Sequence, residues 1–260
     1  MKILLTNDDG CASPLLQGLE RKLRADAETC VCAPMTNQSG VSSSLSIGAP
    51  TVVKTADDGN RIVSGTPVDC VHLGLTVPGL LPWPRPDLTV SGINFGRNLG
   101  NDALYSGTIA AAAESVAFGI PAVALSLHFP GGSKFADADA DYDGVIGLAR
   151  DLVMGLKDRL LANPATLLNV NIPFLPVDRI KPAAACRLGQ DHPPRRIEAD
   201  PAAAPSAAHE CYRIGELMLA GGHPPASDYA LLEQGHVTVT PLRFDLTDDS
   251  KMQAVAAWTK

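Results

Sequence analysis

The chain has 260 residues, enough for one large α/β domain or two small ones, with a core that needs no disulfide or structural metal to fold. Its 45% apolar and 19% charged content excludes general disorder. Lys+Arg 21 against Asp+Glu 28 leaves −7 at neutral pH, a field that repels nucleic-acid polymers and anionic membranes but admits a small phosphorylated ligand where a metal overrides it.

Residues 1–6 form a continuous apolar run of the kind buried on both faces of a parallel sheet, stopping at Asn7-Asp8-Asp9-Gly10. Only Ile3, Leu4 and Leu5 follow Lys2, too few for a signal-peptide core, so the expected compartment is the cytoplasm. Ser13-Pro14 reads as a helix start, with a capping hydroxyl and proline at the first helical position; Leu15, Leu16, Leu19 and Leu23 supply the apolar stripe. A strand at 30–33 runs into the polar loop 34–46. Strands at 51–53 and 61–63 around Asp57-Asp58-Gly59-Asn60 suggest an inserted antiparallel hairpin. A short helix at 69–75 precedes a strand at 88–90, which leads into Ser91-Gly92-Ile93-Asn94. An Ala-rich helix from Gly107-Thr108 to about Phe118 follows, then a strand at 122–127, an amphipathic helix at 142–161 and a strand at 167–171.

Alternating strands and helices imply an α/β fold with a doubly wound, mostly parallel sheet. Prolines 182, 193, 194, 201 and 205 make 181–209 read as an extended arm or loops rather than core, and 237–242 as a late strand. The expected organisation is one domain over 1–260. Its α/β core covers about 1–173 plus 237–242, and a C-terminal extension, read as an oligomerisation arm, covers about 174–234.

Ligands of open α/β sheets bind outside the carboxyl ends of the strands. Three oxygen-rich loops lie there: Asn7-Asp8-Asp9-Gly10, Asn37-Gln38-Ser39-Gly40 and Ser91-Gly92-Ile93-Asn94. Hard oxygen donors select Mg²⁺, Mn²⁺ or Ca²⁺, and adjacent carboxylates at a buried strand end call for a cation or a shared proton. The plain alternative is a surface turn with an Asp capping the next helix. Glycines at 92, 96 and 100 interleave with Asn and Arg, and Ser106-Gly107-Thr108 opens a helix whose N-terminus favours an anion. Plain capping is the alternative for Ser106 and Thr108.

Other chemistries lack their residues. No dinucleotide fingerprint follows the first strand, and there is no P-loop, nucleophile elbow or zincin helix. Asp139-Ala140-Asp141-Tyr142-Asp143-Gly144 mimics a calcium loop, but Arg150 occupies the twelfth position; the run reads as the acidic start of the 142–161 helix. The cysteines at 11, 30, 32, 70, 186 and 211 form no C-x-x-C pair and read as reduced, buried thiols.

Taken in order, Ile3 to Gly10, Ala33-Pro34 with Asn37 to Gly40, Gly65 to Val71, Ser91 to Ala112, Leu168 to Pro173, Ser227-Asp228-Tyr229 and Val237 to Leu242 resemble the motifs of the SurE survival-protein nucleotidases. The resemblance implies a Rossmann-like fold and a phosphomonoesterase acting on nucleoside monophosphates with one Mg²⁺ or Mn²⁺ per subunit. It implies Asp8, Asp9, Ser39 and Asn94 as metal ligands, and Gly40, Asn98, Ser106, Gly107 and Thr108 as phosphate contacts. It also implies a homodimer or homotetramer exchanging its C-terminal arm. Met35-Thr36 stand where relatives usually carry a charged pair, and Ser43 where many carry His. The expected chemistry is direct metal-assisted hydrolysis with Asp9 as proton acceptor; a phospho-aspartyl intermediate at Asp8 and a non-catalytic nucleotide- or metal-binding regulator remain open.

Overall fold

The computed structural model describes residues 1–129, 142–190, 195–203, 209–217 and 223–259. Eleven strands and six helices occur among them. The core begins with β1 (Lys2–Thr6), α1 (Pro14–Leu23) and β2 (Glu28–Pro34). The hairpin β3 (Val53–Thr55) and β4 (Arg61–Val63) and α2 (Pro67–Thr76) come next, then β5 (Leu88–Phe95), α3 (Gly107–Ala117) and β6 (Ala122–His128). After α4 (Asp143–Leu161) and β7 (Leu167–Pro173) come β8 (Lys181–Ala185), β9 (Arg195–Ala199), β10 (Tyr212–Leu217), α5 (Asp228–Glu233), β11 (His236–Leu242) and α6 (Met252–Trp258).

Nine strands form one sheet in the order β3-β4-β2-β1-β5-β6-β7-β11-β8. From β4 to β7 every neighbour is parallel, while β3 runs antiparallel to β4 and β11 antiparallel to β7. The chain passes from β1 to β2 on one side and returns to β5 on the other, so the strand order reverses at β1. Helices cover both faces: α1 and α4 pack on Ile3, Leu5, Val90 and Val123, and α2 and α3 on the opposite face with Leu4, Cys32 and Val63. The expected doubly wound sheet is what forms.

Two helix starts differ from expectation. Pro14 opens α1 as the sequence suggests, yet Ser13 makes no capping bond; its hydroxyl is buried without a partner among the described residues. α2 begins two residues earlier than 69, because Thr66, Pro67 and Asp69 form a reciprocal capping box with proline at the first position.

The segment read as arm or loops divides. Lys181–Ala185 is the edge strand of the central sheet, parallel to β11, where Pro182 is tolerated because an edge strand has one unpaired side. β9 and β10 form a separate antiparallel ribbon. Of the calcium-like run, Asp139 and Asp141 lie outside the described residues, and Asp143 sits in the first turn of α4. All six cysteines are free, with Cys30, Cys32 and Cys70 buried and the other three half-buried. Among the described residues no helix is long and apolar enough to cross a membrane.

Candidate active site

The site forms where the strand order reverses, at the carboxyl ends of β1 and β5. Asn7, fully buried, closes the turn after β1 on itself: its Nδ2 donates to the Gly10 carbonyl at 3.0 Å, and the Gly10 amide donates to its Oδ1 at 3.2 Å. The two following carboxylates engage different elements. Asp8 meets α3, with the Thr108 hydroxyl donating to its Oδ1 at 2.5 Å. A Cβ added at Gly107 would stand 2.9 Å from the Asp8 Cβ, so glycine is what lets the helix N-terminus approach this closely. Asp9 meets β5, accepting the Phe95 amide on Oδ2 at 2.8 Å.

Burial pushes the Asp8 carboxyl up, against the Thr108 bond that lowers it. Burial also pushes Asp9 up to about 7; the Phe95 amide opposes this and the charge of Asp8 adds to it. Two such groups resist ionising together without an opposing charge. With Asp8 at 4% exposure, the surface-turn alternative does not describe this loop.

Asn94, at the end of β5, donates through Nδ2 to the Gly96 carbonyl at 2.8 Å, which leaves its Oδ1 as an acceptor. The Asn37–Gly40 loop is tied to the turn after β1 by the Gln38 amide on the Asp8 carbonyl at 2.7 Å, and Ser39 and Gly40 are exposed on it. Among the described residues no cluster of three or more His, Cys, Asp or Glu is placed to hold a metal. The donors expected from the sequence, two carboxylates, a hydroxyl and an amide oxygen, would make a hard set suited to Mg²⁺ or Mn²⁺. The pair, Asp8 buried and Asp9 half-buried with both carboxyls pushed up, fits a cation on electrostatic grounds.

The expected phosphate contacts are placed less uniformly. Ser106 caps α3, accepting the Ile109 amide at 3.1 Å, so its own proton remains to donate. Of the first amides of α3, that of Ile109 is on Ser106 and that of Thr108 acts on Asp8, which leaves the Gly107 amide for an anion. Thr108 has its one proton on Asp8 and is a positioning group in this arrangement. Asn98, 7% exposed, turns its amide inward to the Ser126 hydroxyl at 2.8 Å.

Several residues that the sequence reading matched to family motifs without giving them a role hold this loop. Asn171 on β7 accepts the Asn98 amide at 2.8 Å and donates back to its carbonyl at 3.1 Å, and Asn169 donates to the same carbonyl at 2.8 Å. Two asparagines at alternate positions of an otherwise apolar strand were the available signal, since they share a face. Asp228, fully buried, accepts the amides of Gly100 and Gly189 at 2.8 Å and of Tyr229 at 2.9 Å. Burial still pushes its carboxyl up. A cavity of about 560 Å³ lies elsewhere, between α1 and the β3–β4 hairpin. Its polar walls pair with one another, Arg24 and Asn60 both on Glu20, so it is not the reactive crevice.

These features define a doubly wound α/β protein with a paired-carboxylate crevice facing a helix N-terminus. Residues 3–194 match the family model described as Survival protein SurE, and the chain belongs to that family. It is 40% identical over 253 residues to a Variovorax paradoxus protein named 5′-nucleotidase SurE, covering 97% of this chain and 95% of that one. A Shigella dysenteriae protein named 5′/3′-nucleotidase SurE is 39% identical over 261 residues, covering 99% and 96%. The crystal structure of SurE from Aquifex aeolicus superposes with a TM-score of 0.82 at 33% identity, over 100% of each chain.

Proposed function

We propose that this chain is a divalent-metal-dependent 5′-nucleotidase, a phosphomonoesterase that releases phosphate from nucleoside 5′-monophosphates. Nucleoside 3′-monophosphates and short polyphosphate are further candidate substrates. The observation that carries the reading is the Asp8–Asp9 pair at the strand crossover, Asp8 buried and Asp9 half-buried, with Asp8 pressed against the N-terminus of α3. The nucleotidase names of the Variovorax and Shigella relatives support it.

Asp8, Asp9, Ser39 and Asn94 would hold Mg²⁺ or Mn²⁺. When bound, such an ion supplies Lewis-acid polarisation of the phosphoryl group and an acidified water. Thr108 fixes the rotamer of Asp8, and the Phe95 amide fixes Asp9. The Ser106 hydroxyl and the Gly107 amide at the start of α3 are the donors left for the phosphate, where charge grows on its oxygens during transfer. Asp9 is the group proposed to take the proton from the attacking water. Hydrolysis then forms the water O–P bond and breaks the ester P–O bond, the leaving alcohol taking up a proton.

The test is phosphate release from 5′- and 3′-monophosphates of each base with Mn²⁺, with Mg²⁺ and in EDTA. Metal-dependent release is expected, with Asp8→Asn folded and inactive. Nucleotide binding without release under any metal would instead identify a binding regulator. The reading extends to a cytoplasmic homodimer or homotetramer. Exposed Ile197, Tyr212 and Ile214 on the β9–β10 ribbon and Leu246 and Trp258 near the C-terminus support assembly, which light scattering behind a sizing column measures.

A further inference from the structure

Arg97 is the one basic residue in the loop between β5 and α3, and nothing in the proposed hydrolysis uses it. Its backbone is held on both sides. The Gly96 amide donates to the Leu127 carbonyl at 3.1 Å, and Asn98 is clamped by Asn171 and Asn169. The half-buried side chain has no carboxylate partner among the described residues. Asp102, the acid of the same loop, pairs instead with Arg195 at 3.0 Å.

The guanidinium lies 5.7 Å from the centre of the Tyr229 ring. A ring face holds a cation without neutralising it, and leaves the planar fork able to take a phosphate through two parallel bonds. The ring itself is fixed. It is 2% exposed and packs so tightly on Gly100 and Gly189 that a Cβ at either would come within 2.6 and 2.5 Å of it. Arg97 stands on the same carboxyl edge of the sheet as Asp8, Asp9 and Asn94, yet forms no ion pair with either aspartate. Its charge is felt by His128, at the end of β6. The guanidinium is thus held by a ring rather than by an acid, on the edge where the aspartate pair and the start of α3 would take a phosphate.

We propose that Arg97 is a second anion subsite, and that this chain prefers nucleotides carrying a second phosphate besides the one it hydrolyses. This rests on the nucleotidase reading and adds a substrate class to it. The second phosphate can be a 3′-phosphate on the ribose or the inner phosphate of a 5′-diphosphate, and the assay separates them.

The experiment compares kcat/KM for one base as 5′-monophosphate, 3′,5′-bisphosphate and 5′-diphosphate, in wild type, Arg97→Gln and Arg97→Lys. One or both doubly phosphorylated forms should be preferred by the wild type. A charged bond of this kind is worth about tenfold or more, so Arg97→Gln should lose at least that much more on the preferred form than on the monophosphate, through KM. Arg97→Lys should keep part of the preference. Calorimetric binding of the same three nucleotides in EDTA gives a second readout independent of turnover, so absence of hydrolysis would count against the nucleotidase reading alone. An equal loss on all three nucleotides, or no wild-type preference in rate or in binding, would overturn the subsite.

Discussion

Thr108 shows how far a single hydroxyl shapes this site. Its proton orients Asp8, and a ligand's second shell typically sets about 10–100-fold in activity or metal affinity. Thr108→Val, which keeps shape and removes the donor, should lower kcat within that range, and Thr108→Ser should restore most of it; steady-state kinetics decides. His128 predicts a pH effect. Burial first, and then the nearby Arg97, pushes its imidazole down to about 4. An unfolded histidine titrates near 6.5, so between about 6.5 and 4 the unfolded chain binds a proton that the folded one refuses, and stability falls as pH falls. Urea midpoints at pH 7 and 5 should show wild type losing roughly 1–2 kcal/mol more than His128→Gln. If both lose equally, His128 is not the half-buried neutral group described. At this scale the aspartates were legible because charge at the end of an apolar strand is costly without purpose. The inward turn of Asn98 was not, since its partners Ser126 and Asn171 lie on two other strands.

Among the elements, α3 carries the most consequence. An alanine in a helix is normally favoured over glycine by about 0.5–1 kcal/mol, so propensity alone makes Gly107→Ala stabilising. The contact with Asp8 opposes that, and a displacement of about 1 Å at a reacting group can lower rate some hundredfold. Gly107→Ala should therefore lose about that much kcat/KM with little loss of melting temperature; full activity would show that the helix has slack. Strand and helix order was readable from alternation and apolar runs. What local pattern did not carry is pairing at long range. Lys181–Ala185 looks like loop because of Pro182 and its alanines, and becomes strand only because β11 offers it an edge. Ser13 illustrates the reverse case, a capping residue by type whose hydroxyl finds no amide.

For the molecule as a whole, the decisive link is Asp228, which joins the late chain to the Gly100 loop. Asp228→Ala strands three buried amides, at about 1–3 kcal/mol each, and should destabilise the fold by at least about 3 kcal/mol in urea titration while raising KM. Asp228→Asn keeps an acceptor and should lose less; equal losses would mean that the packing of Tyr229, not the carboxyl, does the holding. The same link orders events during synthesis. The two aspartates are made before the rest of the site, but the loop expected to receive the phosphate is pinned by a side chain made some hundred and thirty residues after that loop. A nascent chain thus carries its acids long before it can organise their surroundings, and the site is complete only once Asp228 has been made.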